Sequence, residues 1–494
     1  MIKFILTILF SIMTLYAGAQ TKREFRGAWI QCVNGQFEGL GRDRMQQTLS
    51  HQLDELQKDG VNAIFFQVRA ECDALYPSKI EPWSRFLTGQ QGRPPHPYWD
   101  PLQWMIEQCH NRGMELHAWI NPYRAKTKTT KLMAANHVAI LHPNLVFSYD
   151  NQWILNPGMS LTREYIISVA EDIVRRYDVD GLHIDDYFYP YPANGMPIPD
   201  ENLYKELGGS YATIGDWRRA NVNLFIRMLG EAVHRCKPWV KFGVSPFGIY
   251  RNVSSDPDGS DTNGLQNYDD LYADVLLWVR EGWVDYCVPQ LYWQIGHPVA
   301  DYQKLIGWWD QHAYNRPLYI GEDVVRTTKY PDPQNPKSHQ LPAKHRLHKR
   351  MQHVEGTVLW YAKAVADNVG NYGMTLREHY WRFKALTPLM PFLDDKPPQR
   401  PTRVKCLWTE DGPVLFWTPP AAKEWGDVTN RYVIYRFPAG RTVDLDDNTR
   451  IVCVTYKTMF PLPYKDGQTE YTYVVTALDR VGNESKGVSV KVKL

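Results

Sequence analysis

From Phe25 to Met390, short apolar runs alternate with longer segments in which apolar residues recur every three or four positions. The short runs predict buried parallel strands, and the longer segments predict amphipathic helices. The predicted strands are Gly27–Ile30, Ala63–Arg69, Glu115–Asn121, Val179–Asp185, Lys241–Pro246, Tyr286–Tyr292, Leu318–Gly321 and Thr357–Tyr361. The clearest predicted helices are Met45–Gln57, Pro101–Arg112, Arg163–Arg176, Asp216–Cys236, Tyr268–Glu281 and Ala300–His312. Eight such units predict an α/β fold, a (β/α)₈ TIM-like barrel. A doubly wound open sheet is the alternative, but no GxGxxG follows a predicted strand.

The pattern changes after Asp395. Residues 396–401 are rich in proline and predict a stiff linker. Residues 402–494 alternate in polarity over several short runs, which predicts a small all-β sandwich that resembles a fibronectin type III module. We therefore expect the barrel domain to occupy residues 24–395 and the second domain to act as a spacer or docking module.

The N-terminus predicts export. Residues 1–19 combine Lys3, an apolar run and a closing Ala17-Gly18-Ala19, as a secretory signal peptide does. The apolar run is too short for a membrane span, and no cysteine follows it to carry a lipid anchor. We therefore expect a secreted or periplasmic protein.

Charge and cysteine spacing narrow the class of partner. The formal net charge is +2 without a basic stripe, so nucleic acid is not an expected partner. The 7 cysteines show no metal-binding spacing. Cys406 and Cys453 could pair in an oxidising compartment, but buried thiols are the favoured interpretation. Neither a metal nor a cofactor is predicted.

Two adjacent carboxylates, Asp185 and Asp186, end the fourth predicted strand and precede an aromatic segment that begins at Tyr187. Cleavage of a glycosidic bond needs positioned carboxyl groups, and aromatic rings stack on the apolar faces of sugars. The pair is therefore the candidate catalytic centre. The alternative is a solvated turn that ends the strand.

Other polar and aromatic residues follow the predicted strands. The residues predicted to contact substrate are Arg69, Asp73, Asn121, Tyr123, Arg124, Tyr187, Gln290, Tyr292 and Trp293. Active sites of such barrels lie at the carboxyl ends of the strands, so these side chains should meet in one cleft. His117 and His183 are interpreted as core histidines.

Several longer motifs resemble one family. They are Gln67-Val-Arg69, Asp73-Ala-Leu-Tyr-Pro-Ser-Lys79, Glu81-Pro-Trp-Ser84, His117-Ala-Trp-Ile-Asn-Pro-Tyr-Arg124, Asp180-Gly-Leu-His-Ile-Asp-Asp-Tyr-Phe-Tyr-Pro190, Ser245-Pro-Phe-Gly248 and Pro289-Gln-Leu-Tyr-Trp293. This set resembles the glycosyl hydrolase-like family 10 of bacterial envelope proteins over roughly residues 24–390. The resemblance implies a TIM-like barrel, export and cleavage of peptidoglycan strands, with strands lacking stem peptides as substrate. It also implies that Arg69 orients a carboxylate or the lactyl group of muramic acid, although a structural ion pair is the alternative.

Two mechanisms remain open. The segment from Asp180 to Asp185 resembles the chitinase strand motif, but Tyr187 stands where the chitinase acid would be. An adjacent Asp-Asp pair resembles β-N-acetylglucosaminidases that use the substrate's acetamido group as nucleophile. In that mechanism Tyr292 would bond the acetamido group and Trp293 would form a stacking floor. Because strand residues alternate between faces, both aspartates reach one sugar only if the strand breaks at Asp185.

The competing mechanism uses Asp185 as nucleophile and takes the acid from Glu71, Asp73 or Glu322. Glu322 departs from the mostly apolar pattern expected there. Two alternatives also remain for function: a catalytically silent carbohydrate-binding scaffold, and a hydrolase of another polysaccharide.

Overall fold

The computed structural model describes residues 21–193 and 195–494, so the predicted signal peptide lies outside the described residues. Eight parallel strands close into a barrel, each beside its neighbours in the chain and the last beside the first. They are β1 (Phe25–Ile30), β2 (Ala63–Arg69), β3 (Glu115–Ile120), β4 (Gly181–Ile184), β5 (Lys241–Val244), β6 (Tyr286–Cys287), β7 (Leu318–Asp323) and β8 (Val354–Trp360). The predicted (β/α)₈ barrel is confirmed.

One helix of the outer ring follows each strand. The helices are α1 (Arg42–Lys58), α2 (Pro101–Asn111), α3 (Ser160–Arg176), α4 (Ile214–Cys236), α5 (Val275–Arg280), α6 (Tyr302–Gln311), α7 (Leu341–His348) and α8 (Ala362–Ala366). Their starts follow local chemistry. Asp100 caps α2 by accepting the backbone N–H of Gln103, and Pro101 occupies the first turn, where its missing N–H costs nothing.

The predicted single helix Tyr268–Glu281 is wrong. Two helices, Asn267–Asp270 and α5, replace it. Tyr272 adopts a left-handed backbone conformation with φ of 55°, which ends the first helix. Asp274 then caps α5 by accepting the N–H of Leu277. An aspartate that bonds nearby backbone groups favours a helix start over a helix interior.

Rings fill the barrel interior. Phe25 stacks on Tyr319 with centroids 4.1 Å apart, and Phe65 lies 4.5 Å from the ring of His183. TIM barrels more often use branched aliphatic residues here. The interior rings continue upward to the carboxyl ends of the strands, where Trp29 and Trp119 close the core beneath the pocket described below.

Small sheets and short helices lie in the segments that connect the main strands and helices of the barrel. A three-stranded antiparallel sheet follows β3, and a two-stranded sheet follows β7. Their strands are Arg124–Lys126, Val146–Tyr149 and Gln152–Leu155, then Pro331–Asp332 and Asn335–His339. The additional short helices are Arg85–Thr88, Val138–Leu141, Glu201–Leu207, Val324–Lys329 and Tyr372–Thr375.

The C-terminal domain consists of two antiparallel sheets of three and four strands. The strands are β9 (Thr402–Thr409), β10 (Gly412–Thr418), β11 (Thr429–Pro438), β12 (Ile451–Thr455), β13 (Met459–Pro461), β14 (Glu470–Asp479) and β15 (Val488–Lys493). Leu415 and Trp417 of one sheet share a core with Ile434 and Val475 of the other. The all-β class is confirmed, and the likeness to a fibronectin type III module stays a prediction.

This domain covers the amino end of the barrel. Arg431 of β11 forms an ion pair with Glu115 at the start of β3, with Nη2 3.0 Å from Oε1, and both side chains are buried. Tyr456 stacks on His110 at 4.0 Å and donates a hydrogen bond to Asp180. Gly113 has φ of 74°, and a β-carbon there would lie 2.2 Å from the carbonyl oxygen of Val454. Only glycine permits this approach.

Glu115 gathers positive charge from both domains. Besides Arg431, the Nζ of Lys241 lies 2.7 Å from both of its carboxylate oxygens, and Thr387 donates a hydrogen bond of 2.8 Å. Burial opposes ionisation of Glu115, but Lys241 and Arg431 outweigh it and hold the pKa well below its ordinary value. The C-terminal domain thus completes a buried charge network of the barrel.

All seven cysteines are free thiols, including Cys406 and Cys453. Within residues 21–193 and 195–494, no helix combines the length and the hydropathy that a bilayer crossing requires.

Candidate active site

Strand β4 ends at Ile184, and the chain bends at Asp186. Consecutive residues of a strand point to opposite faces of the sheet, but this does not apply to Asp185 and Asp186 because the strand has ended. Asp185 and Asp186 consequently line the same pocket, whose volume is about 210 Å³. The other residues that line it are Trp29, Trp119, Tyr187, Tyr191, Ser245, Gln290, Tyr292 and Trp360.

Asp185 is held by donors that favour its charged form. Trp119 Nε1 donates at 3.2 Å, and Asn121 Nδ2 lies 3.1 Å from both carboxylate oxygens. Burial raises the pKa of Asp185, while the positive charge of Arg124 and these hydrogen bonds oppose that rise. The carboxylate is therefore oriented by fixed neighbours on β3 and the turn after it.

Asp186 has a different environment. Burial and then the adjacent charge of Asp185 raise its pKa to about 6, against hydrogen bonds from Tyr191 and Gln290 that lower it. Two titratable groups with separated environments can serve as acid and base in one site. Asp186 thus keeps its proton to a higher pH than an ordinary aspartate does.

Tyr292 enters the pocket from the segment after β6. Its ring stacks on Trp360 at a centroid distance of 6.2 Å and meets Trp29 edge-on at 6.4 Å. Within the part of the chain that the structure describes, its hydroxyl makes no hydrogen bond. Burial raises the pKa of Tyr292 well above its ordinary value, so the hydroxyl stays protonated as a donor.

A larger cavity of about 410 Å³ adjoins the pocket, and Tyr187 and Tyr191 line both. Tyr123 and Arg124 line the larger cavity from the turn after β3. The guanidinium of Arg124 lies 4.9 Å above the ring of Tyr187. Because Tyr187 and Tyr191 line both cavities, the two form one cleft.

Two residues predicted to contact substrate, Arg69 and Asn121, line neither cavity of the cleft. Arg69 is fully buried and pairs with Glu81, Nε being 2.9 Å from both oxygens and Nη2 2.7 Å from one. Its substrate role is corrected to the structural alternative: it also bonds the carbonyl oxygens of Asn121 and Pro122, and so fixes the turn after β3. Asn121 is likewise fully buried and acts on Asp185.

Asp73 and Trp293 also lie outside the pocket lined by Asp185 and Asp186, which is called the acid-pair pocket below. Asp73 is fully buried and accepts hydrogen bonds from Gln91 and from the backbone N–H of Glu71. Trp293 packs edge-on against Phe247 at 5.4 Å, so it does not form the pocket floor. The predicted floor is instead supplied by Trp29, Trp119 and Trp360.

The alternative acids are engaged in ion pairs. Glu71 binds Arg85 at 2.9 Å, and Glu322 binds His348 at 3.0 Å. Burial opposes both charges, yet Arg85 holds the pKa of Glu71 below its ordinary value, and Lys344 and His348 lower that of Glu322 to about 2. Neither lines the pocket around Asp185. A carboxyl group with a lowered pKa is a poor proton donor, which argues against both as acids.

Of the pocket residues, the sequence prediction missed Trp29, whereas Ser245 and Trp360 lie at the ends of predicted strands and Tyr191 belongs to the aromatic segment after Asp186. Trp29 and Trp360 belong to β1 and β8, which pair side by side at the top of the barrel. Their places near the ends of predicted strands were a usable signal, because such residues face the site when they point inward.

His117 and His183 lie in the barrel core, as the sequence predicted. His183 is fully buried, with Nε2 3.0 Å from Ser245 Oγ and Nδ1 3.2 Å from the hydroxyl of Tyr286. His117 bonds the same hydroxyl at 2.8 Å. Across the described residues, no group of three or more histidine, cysteine and acidic side chains could hold a metal ion.

Known proteins are similar to this chain in structure or in sequence. One solved structure similar to the chain is the PgaB (BpsB) glycoside hydrolase domain from Bordetella bronchiseptica, with TM-score 0.48 and 10% identity over 72% of this chain and 99% of that one. Glycosyl hydrolase YngK of Bacillus subtilis is 37% identical over 484 residues, 95% of this chain and 93% of the relative. Glycosyl hydrolase DigH of Escherichia coli K12 is 39% identical over 325 residues, 61% of this chain and 73% of the relative.

The family comparison covers most of the barrel and the segment that contains the two aspartates. The model of the family described as glycosyl hydrolase-like 10 matches residues 24–337, which include seven barrel strands and both aspartates. The family model and the match to glycosyl hydrolase YngK identify a glycoside hydrolase. The chain belongs to the glycosyl hydrolase-like 10 family.

Proposed function

We propose that the protein is an exported hydrolase of N-acetylated glycan, acting on peptidoglycan strands that lack stem peptides by substrate-assisted catalysis. The observation that carries the mechanism is the shared pocket of Asp185 and Asp186, in which one carboxyl is oriented by Trp119 and Asn121 and the other has a pKa of about 6. The peptidoglycan substrate and the export rest on the sequence resemblance and the predicted signal peptide.

In the first step the acetamido oxygen at C2 of the sugar attacks its own anomeric carbon. Asp186 donates its proton to the glycosidic oxygen as that bond breaks, and the remainder of the strand leaves as an alcohol. Asp185 accepts a hydrogen bond from the acetamido N–H and stabilises the positive charge of the cyclic intermediate. In the second step Asp186 takes a proton from water, which opens the ring at the anomeric carbon.

The environment of each carboxyl suits its role. Asp185 has three donor contacts from Trp119 and Asn121 and faces the charge of Arg124, all of which favour a fixed anion. Asp186 keeps its proton to higher pH because burial and the neighbouring anion both disfavour its ionisation. A general acid works best with a pKa near the working pH.

Tyr292 supports an acetamido substrate. Its free hydroxyl in the acid-pair pocket is a donor for the acetamido carbonyl oxygen, which would hold that oxygen against the anomeric carbon. Trp29, Trp119 and Trp360 provide apolar faces for the sugar ring and exclude water around it.

The retaining alternative has weaker support. It needs a second carboxyl as acid, and the pocket that contains Asp185 includes no other described carboxyl than Asp186. Glu71 and Glu322 are committed to ion pairs that lower their pKa values. We therefore favour the acetamido group as nucleophile.

Mass-spectrometric product analysis tests the function. The purified protein is incubated with intact sacculi and with peptide-free strands. Asp186→Asn should abolish the oligosaccharide products, by roughly 10²-fold to 10⁴-fold, because it removes the proton donor. Asp43→Asn, an exposed change on α1, is the matched control and should keep parental turnover. Strands without N-acetyl groups should resist cleavage.

Two outcomes would contradict the proposal. Binding of strands without products from the parent protein would favour a carbohydrate-binding scaffold. Cleavage of strands regardless of their N-acetyl groups would refute substrate assistance while leaving a hydrolase.

A further inference from the structure

The charges of the cleft are divided between its two cavities. The acid-pair pocket is lined by Asp185 and Asp186 and by no described cation. Of the described residues that line the larger cavity, Arg124 is the only charged one. Two neighbouring parts of one cleft therefore offer opposite charges to a bound chain of sugars.

Arg124 is held in place without an ion pair among the described residues, although its charge acts on Asp185. Its Nε donates to the carbonyl oxygen of Ala70 at 3.0 Å, and its guanidinium covers the ring of Tyr187. Its terminal amino groups have no hydrogen bond or ion pair within residues 21–193 and 195–494, although the side chain is only 9% exposed. Charges that are so nearly buried are normally paired. Arg85, the other arginine near this wall, is paired with Glu71.

We propose that the larger cavity is a subsite for a carboxylate-bearing sugar, and that Arg124 is the residue that binds the carboxylate. This rests on the proposed function and deepens it, since it names what distinguishes the preferred glycan from a neutral one. The free amino groups of a guanidinium match a carboxylate as two parallel hydrogen bonds. Tyr187, which lines both cavities, separates this carboxylate from the acid pair.

Two sources supply this chemistry in N-acetylated glycans: the lactyl ether of a muramic acid without its peptide, and a uronic acid. A stem peptide converts the lactyl carboxylate into an amide and removes its charge. The same contact would therefore favour peptide-free strands.

The test compares matched substrates. Peptide-free peptidoglycan strands, the same strands with carboxyls converted to methyl amides, and hyaluronan oligosaccharides are offered to the parent, Arg124→Gln, Arg124→Lys and Lys126→Gln. Lys126 is two residues away, lies over Trp153 and does not line the cavity, so it controls for loss of one positive charge.

The parent should prefer the acidic strands to their amides by about tenfold in kcat/KM. Arg124→Gln should lose that preference through KM, Arg124→Lys should keep part of it, and Lys126→Gln should keep it all.

A second readout separates failure of this subsite from failure of the proposed function. Binding of both forms of the strand is measured calorimetrically in the Asp186→Asn background, with and without Arg124→Gln.

A parent that cleaves both forms equally overturns the subsite and leaves the hydrolase. Equal losses on both substrates after Arg124→Gln, with a shifted pH profile, would mean that Arg124 acts through Asp185 and would also overturn it. A parent that cleaves neither form refutes the proposed function, and the binding preference still decides the subsite. Preference for hyaluronan supports the subsite with a uronic acid as its ligand.

Discussion

The two ends of the barrel bury carboxyl groups under opposite conditions. At the amino end, Glu115 contacts Lys241 and Arg431 and has a pKa held well below its ordinary value despite burial. At the carboxyl end, Asp186 is also buried, lies beside another aspartate, and has a pKa raised to about 6. Burial alone raises the pKa of both groups, so partner charge decides the sign of the net shift.

The opposite pKa shifts indicate different roles for the two ends of the barrel. A carboxylate surrounded by cations from two domains favours one rigid arrangement, and its ionisation adds to stability. An aspartate pair without a cation in contact has the opposite effect, and ionisation of its second member costs stability. Active sites commonly sacrifice stability in this way for reactivity.

The largest expected effect is at the amino end. Glu115→Gln would leave Lys241 and Arg431 buried without their counter-ion, and we expect it to lower the free energy of unfolding by about 3 to 5 kcal/mol. Urea unfolding followed by tryptophan fluorescence measures this change. The matched control is Glu55→Gln, which removes surface pairs with Lys58 and Arg377 and should cost less than about 1 kcal/mol. Equal stability of the two variants would show that the network contributes nothing.

A smaller effect of opposite sign is expected at the carboxyl end. The folded pKa of Asp186 is about 6 against an ordinary value of 3.8, so the folded protein binds more protons between these values and loses stability as pH rises through them. Asp186→Asn does not titrate. We therefore expect it to exceed the parent in stability by about 2 to 3 kcal/mol at pH 7 and to lose this advantage near pH 4. An advantage independent of pH would contradict the assignment.

The pH dependence of kcat/KM should follow the same group. Above a pH of about 6 the acid form of Asp186 declines, and we expect activity to fall about tenfold for each pH unit. Tyr191→Phe removes a hydrogen bond that lowers the pKa of Asp186 and should move this alkaline limb to higher pH. Initial rates on peptide-free strands between pH 4 and 9 measure both. A limb that stays fixed in Tyr191→Phe would exclude Asp186 as the titrating acid.

Much of the carboxyl end could be predicted from sequence. Apolar runs ending in polar residues located all eight strands, and the adjacent aspartates after the fourth run located the candidate acids. Local patterns suffice for this because strand period and strand ends are properties of consecutive residues. The break at Asp185, on which the mechanism depends, was only conditional until the structure placed both side chains in one pocket.

The sequence by itself determined the barrel, the second all-β domain and the acid pair. Tertiary structure decided which polar side chains keep free donors in the cleft: Arg69 and Glu322 are committed to buried ion pairs, whereas Arg124 and Tyr292 keep donors without a partner among the described residues. It also placed the second domain against Glu115. The physical reason is that partners such as Arg431 and Glu115 are far apart in the chain, and no local pattern encodes which charges meet after folding.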